Sequence, residues 1–260
     1  MSKFVFKKKY GQNFLKDENI VKKIVNSVDI TNKEVIEIGP GGGALTQEIV
    51  KKCSFLRAYE IDADLIENLK KKFSSSPVEI INEDFLDTNL DFFSTKQIVL
   101  ANLPYYITSN IIFKILSHIN KFSEIVIMVQ DEVADRIVAK VNTKDYSKLS
   151  LSCQYIANVE KILKIPPSAF IPQPSVNSAV VVFRVKENID QEKFNNFLNF
   201  VKKSFAMKRK TLFNNFLTFI ERDKIKQIYS LFKLDFNVRP QQISLDLYNE
   251  IFEFLYQKSF

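Results

Sequence analysis

The chain has 260 residues, 46% of them apolar, and a formal net charge of +7. That length and composition suit one large domain and a smaller one with a real core, and the positive balance suits a polyanionic partner. No apolar run approaches a membrane span, the lysine-rich start lacks the apolar stretch of a signal segment, and two cysteines supply neither a zinc site nor a disulfide framework, so a reducing, cytoplasmic setting is expected.

Codon bias toward lysine would also raise the total charge, so its distribution carries more weight. Lys7, Lys8 and Lys9 stand just before GQNFL (11–15). Lys202, Lys203, Lys208, Arg209 and Lys210 fall within nine residues that contain no acid. Both clusters support a polyanionic partner, although a charge run is also what a solvated face looks like.

In chain order, VIEIG (35–39) predicts a β-branched strand that ends in a glycine turn, followed by a helix through Leu45, Ile49 and Val50. FLRAYE (55–60) predicts a second strand, and Asp62 caps a helix through Phe73. VEIIN (78–82) and QIVLAN (97–102) predict two more strands, and Thr108 or Ser109 caps a helix to about His118. EIVIMVQ (124–130) is the fifth strand, with helical patterns over 131–140 and 146–157. Strand and helix alternate, and the strands are almost continuously apolar. Both features point to a doubly wound α/β sheet covered on both faces. VEKILKI (159–165) and SAVVVFRV (178–185) predict two further strands around the proline-rich loop 166–176. Beyond a linker near 186–190 the apolar spacing becomes helical throughout. Two domains are therefore expected, 1–186 carrying the chemistry and a small all-helical 187–260.

Four of the five glycines (Gly39, Gly41, Gly42 and Gly43) crowd into EIGPGGGALT (37–46). Glycine permits positive φ and close backbone approach, so a ligand is expected against this turn. It sits at the carboxyl end of the first strand, where open α/β sheets bind ligands. NAD, FAD or S-adenosylmethionine would each suit such a turn. Pro40 and the lack of GxGxxG argue against a dinucleotide, and the lack of GK[ST] excludes a P-loop. Glu60 at the second strand's end can accept from ribose hydroxyls, and Asp84 after the third from an adenine amino group. Each alone also reads as a turn or cap residue; together with the glycine turn they outline a nucleoside site.

The fourth strand ends in Asn102-Leu103-Pro104-Tyr105, which resembles the NPPY-type motif of enzymes that methylate exocyclic amino groups of bases. The N6 lone pair of adenine is delocalised into its ring and is a poor nucleophile. Two acceptors, the Asn102 side-chain oxygen and the Leu103 carbonyl, can grip its amino protons and favour the pyramidal geometry of the transition state. Pro104 stiffens the turn, and Tyr105 can stack on a base that has left its helix. The same four residues also read as a proline-ended strand with a buried tyrosine. His118, the only histidine, reads as a packing or surface residue.

KKKYGQNFL (7–15), EIGPGGGALT, YEID (59–62), NEDFL (82–86), NLPYYITS (102–109), MVQDEVADRI (128–137), PPSAFIPQPSVNSAVV (166–181) and KRKTLFNNF (208–216) together make the chain resemble the ribosomal RNA adenine dimethyltransferase family over nearly its whole length. The resemblance implies a Rossmann-like S-adenosylmethionine-dependent methyltransferase sheet with a reversed last strand and a helical RNA-binding C-terminal domain. It implies a cofactor site formed by Asn13, Leu15, Gly39, Gly41, Glu60, Ile61, Asp84, Phe85 and Asn102. It also implies that Phe170 faces Tyr105 as a second aromatic platform, although the same residue also reads as a loop anchor in the core. The implied substrate is a pair of neighbouring adenosines in a hairpin near the 3′ end of 16S rRNA, each dimethylated at N6 within a late 30S assembly intermediate. The enzyme is expected to be monomeric, with no metal and no membrane. One departure is KRKTL where the family pattern has RRKTL; lysine keeps the charge but not the bidentate fork. Two other readings share these features: a macrolide-resistance-type 23S rRNA adenine methyltransferase, and a non-catalytic RNA-binding assembly factor. A nicotinamide oxidoreductase would leave NLPY unexplained.

Overall fold

A computed structural model describes residues 12–256, so Lys7, Lys8 and Lys9 lie outside the described residues. The chain runs β1 (Phe14–Leu15), α1 (Glu18–Val25), β2 (Glu34–Ile38), α2 (Ala44–Ile49), β3 (Phe55–Glu60), α3 (Ala63–Lys72), β4 (Val78–Asn82) and β5 (Gln97–Asn102). It continues through α4 (Thr108–Ser117), β6 (Phe122–Gln130), α5 (Asp131–Val138), α6 (Lys148–Ile156), β7 (Ala157–Ile165), β8 (Phe170–Ile171) and β9 (Ser178–Val185). Helices α7 (Gln191–Ser204), α8 (Leu212–Phe216), α9 (Arg222–Leu231) and α10 (Leu245–Tyr256) follow.

Among the described residues, seven strands form one sheet in the order β4-β3-β2-β5-β6-β9-β7. Pairing is parallel from β4 to β6, and β9 runs antiparallel to β6. The parallel strands are apolar on both faces because both are covered: Val35, Ile36, Leu56, Ala58, Val99, Leu100 and Val126 are fully buried. From β2 the chain steps outward to β3 and β4, then returns to lay β5 on the other side of β2. That reversal opens a crevice beyond the carboxyl ends of β2 and β5. Register brings the two ends level, with Ile38 paired to Ala101.

Local signals explain most element starts. Asp62 caps α3, accepting from the Asp64 N–H. Helix α4 departs from expectation: its cap is Ile107, which makes no side-chain cap bond. The turn closed by Ile107 N–H on the Pro104 carbonyl already supplies the helix entry, and the Thr108 hydroxyl donates to that same carbonyl instead of capping.

Two compact units emerge. One holds the chain up to Ala134 together with Asn158–Glu187; the other holds Asp135–Ala157 and the chain from Asn188. The segment 135–157, expected in the first domain, falls in the second unit. It groups with the helices because Tyr155 of α6 stacks on Phe197 of α7, ring centroids 4.3 Å apart, and on Phe194. The helical unit has an aromatic core in which Phe200 meets Phe216, Tyr248 and Phe252.

Candidate active site

The crevice is open to solvent at its mouth. Its lining draws on the segment before α1 and on the ends of β2, β3, β4 and β5. It therefore brings together Asn13, Leu15, Gly39, Gly41, Glu60, Ile61, Asp84, Phe85, Asn102, Leu103, Pro104 and Tyr105, all expected from sequence.

The glycine turn has positive φ at Gly39 and Gly41, 71° and 55°. At Gly41 a Cβ would stand 2.9 Å from the Phe14 ring, so both conformation and space require glycine. Gly39 sits against β5, where an added Cβ would lie 3.6 Å from the Asn102 carbonyl oxygen. The glycine turn and the asparagine turn are thus immediate neighbours.

Glu60 is buried, and its carboxylate accepts from the backbone N–H groups of Gly41 and Asp62, both at 2.9 Å. Each oxygen keeps a second lone-pair direction. Burial pushes its carboxyl above the ordinary range, against the pull of those two N–H groups. Asp84 Oδ1 accepts from Leu86 N–H at 2.9 Å. Lys114 of α4 donates to the carbonyls of Leu86 and Thr88, pinning the loop that carries Asp84 and Phe85. Burial lowers the Lys114 ammonium below its usual value. Phe85 is packed edge-on against Tyr59.

At the β5 end, Asn102 Nδ2 donates to the Asn13 carbonyl at 3.1 Å, which turns Oδ1 the other way. Leu103 N–H donates to the Met128 carbonyl of β6, anchoring the turn to the sheet. The Tyr105 hydroxyl lies 2.6 Å from Ser178 Oγ, and Ser178 is fully buried at the start of β9. Burial raises the Tyr105 phenol above its ordinary value.

Two residues that sequence reasoning missed stand out. Glu37 lines the crevice at 1% exposure. Thr46 donates to its Oε2 at 2.6 Å, while its Oε1 has no partner among the described residues. Burial pushes its carboxyl up to about 8. Its signal was a lone acid inside an apolar strand, two residues before the glycine turn. Ser178 left no comparable mark, since a serine opening a strand is ordinary.

One expectation is corrected. Phe170 does not line the crevice; it is 1% exposed. It sits in β8, paired with Leu15 of β1, and belongs to the core with Ile165 and Ala169. Strand alternation turns Ile171 outward instead, at 47% exposure. His118 lies outside the crevice, its Nδ1 within 3.0 Å of Ser117 Oγ and the Lys114 carbonyl. The cations Lys202, Lys203, Lys208, Arg209 and Lys210 are exposed on the helical unit and take no part in the crevice.

The lining chemistry selects among ligands. Glu37, Glu60, Glu83 and Asp84 line the crevice, and no lysine or arginine among the described residues does. That set suits a ligand carrying positive charge, hydroxyls and an amino group. It is unsuited to the pyrophosphate of a dinucleotide. A parallel sheet with a reversed strand, a glycine turn at its switch point and an asparagine–proline–tyrosine turn beside it defines a Rossmann-like methyltransferase.

A family model described as ribosomal RNA adenine dimethylase matches residues 3–257. The chain belongs to that family. It is 50% identical, over the full length of both chains, to a Mesomycoplasma hyopneumoniae protein named Ribosomal RNA small subunit methyltransferase A. A Mycoplasma mobile protein of the same name is 47% identical over 95% of this chain and 97% of its own. Among solved structures, a dimethyladenosine transferase from Plasmodium falciparum superposes with TM-score 0.79 at 26% identity, covering 94% of this chain and 98% of that one. The 23S rRNA methyltransferase ErmE shares the fold, with TM-score 0.74 at 23% identity over 93% and 98%.

Proposed function

We propose that this chain transfers methyl groups from S-adenosylmethionine to N6 of two neighbouring adenosines in a hairpin near the 3′ end of 16S rRNA. The product is N6,N6-dimethyladenosine, formed in a late 30S assembly intermediate. The observation that carries this reading is the meeting of two devices at one point: a carboxylate-lined crevice free of lysine and arginine, and the Asn102 turn beside its glycine wall. Names of full-length relatives support the small-subunit substrate.

When bound, S-adenosylmethionine supplies a methyl group on a positively charged sulfur, so transfer relieves charge and needs no strong base. Glu60 would accept from the ribose hydroxyls, and Asp84, on the loop that Lys114 pins through the Leu86 and Thr88 carbonyls, would accept from the adenine amino group of the donor. The Oε1 of Glu37, without a partner among the described residues, offers a polar atom to the ligand. Asn13, Leu15, Gly39, Gly41, Ile61 and Phe85 complete that wall. Asn102 Oδ1 and the Leu103 carbonyl hold the amino protons of the target base, which makes its nitrogen a better nucleophile. Pro104 fixes the turn, and Tyr105, tied to Ser178, carries the stacked base. The proton leaves to solvent after transfer. A loop target costs little to unstack.

Lys202, Lys203, Lys208, Arg209 and Lys210 bind rRNA phosphates, with Lys7, Lys8 and Lys9 expected to add to them. The enzyme acts in the cytoplasm as a monomer. No helix among the described residues is long and apolar enough to cross a membrane, and no cluster there could hold a metal ion. The test is transfer of labelled methyl groups to unmethylated 30S subunits and, separately, to protein-free 23S rRNA. Label is expected on the 30S subunits alone; label only on 23S rRNA would assign the chain to the large subunit instead.

A further inference from the structure

We propose that Phe236 is a stacking platform for an unpaired rRNA base, a contact separate from the target adenosine and beside the Lys208-Arg209-Lys210 run. It rests on the reading that the helical unit meets RNA.

Phe236 is 58% exposed, in a unit whose Phe194, Phe197, Phe200, Phe216 and Phe252 build the core. Its ring is not loose. It stacks on Tyr229 with centroids 5.1 Å apart and planes 21° apart, and Phe213 closes on it at 5.5 Å. Tyr229 is itself only 3% exposed, so one face of Phe236 is backed by core and the other is open. The loop is fixed by its own bonds: Leu234 N–H to the Tyr229 carbonyl, Val238 N–H to the Asp235 carbonyl, and Asn237 N–H to Asp235 Oδ1. That last bond engages the Asp235 carboxylate within the loop.

Leu212 N–H donates to the Val238 carbonyl at 2.8 Å, which joins this loop to the segment just after Lys208, Arg209 and Lys210. All three cations are exposed, as are Lys233 and Arg239 on either side of Phe236. A rigid aromatic face with cations at its margin fits single-stranded nucleic acid: the cations follow phosphates and the ring takes a base. A protein partner would gain from the ring but would not call for exposed cations on both sides of it in sequence and in the segment bonded to its loop.

The test is equilibrium binding of the full chain to protein-free 16S rRNA and to 30S subunits across a salt series. Phe236→Ala should weaken binding to both by roughly 5- to 150-fold, the range for losing one stacked base. The slope of affinity against salt should not change, because no phosphate contact is lost. Phe236→Tyr should restore affinity, and Phe236→Leu, which keeps apolar bulk for folding, should not. Full affinity in the Leu and Ala variants would overturn the proposal. So would a loss confined to 30S subunits, which would mean a ribosomal protein covers the ring. If the wild-type chain bound no rRNA at all, the underlying RNA reading would fall first, and a donor-binding measurement would still report on the crevice.

Discussion

At the scale of single residues, Tyr105 depends on a partner from a distant strand. Ser178 is fully buried and its hydroxyl meets the phenol of Tyr105 at 2.6 Å. Losing one half of a buried hydroxyl pair costs about 1–3 kcal/mol at the group left behind, whereas removing both is much milder. Ser178→Ala and Tyr105→Phe should each raise the apparent KM for RNA, and the double variant should be no worse than either single one. Additive losses would mean the two side chains act independently. Glu37 gives a pH prediction. Its carboxyl titrates near 4.5 in the unfolded chain and near 8 in the folded one. Between those values the folded state holds the extra proton, so this contribution is complete below about 4.5 and is lost as pH rises to about 8. Urea unfolding from pH 5 to 8 should show that fall, and Glu37→Gln should flatten it. An unchanged pH profile in the variant would place the titration elsewhere.

Among the elements, the glycine turn and the strand tips around it were the most legible in the sequence, for a physical reason. Glycine is scarce here, so its crowding marks a backbone that must take positive φ beside another chain segment. Gly41→Ala tests this. The strain of a left-handed alanine is roughly 1–2 kcal/mol, and the added Cβ would push on the Phe14 ring that lines the crevice. Donor affinity should drop about tenfold by calorimetry, whereas Gly42→Ala, with negative φ and a 3.6 Å neighbour, should change it little. Equal losses at both positions would deny the turn a specific shape. Less legible were features decided by long-range pairing. Nothing local tells that Phe170 pairs with Leu15 and faces inward, or that α6 stacks on α7 and leaves the first unit. Ser178 shows its role only when the start of β9 comes beside the β5 turn.

For the whole molecule, chemistry and charge are carried on separate units. The crevice lining is acidic, while the exposed cations of KRKTL and the end of α7 lie on the helical unit. Charge lost from the helical unit should therefore act on RNA and not on the donor. Replacing Lys208 and Arg209 by Ala should weaken rRNA binding and reduce the salt slope by about 2, one for each phosphate contact. Donor affinity should be untouched, and an unaltered salt slope would leave those residues merely structural. The most direct measurement is nucleoside mass spectrometry of 16S rRNA from unmethylated 30S subunits incubated with labelled S-adenosylmethionine and either the wild-type chain or Asn102→Ala. The expected result is labelled N6,N6-dimethyladenosine with the wild type and almost none with the variant. Label on another nucleoside, or equal label from both proteins, would contradict the role given to the crevice and its asparagine turn.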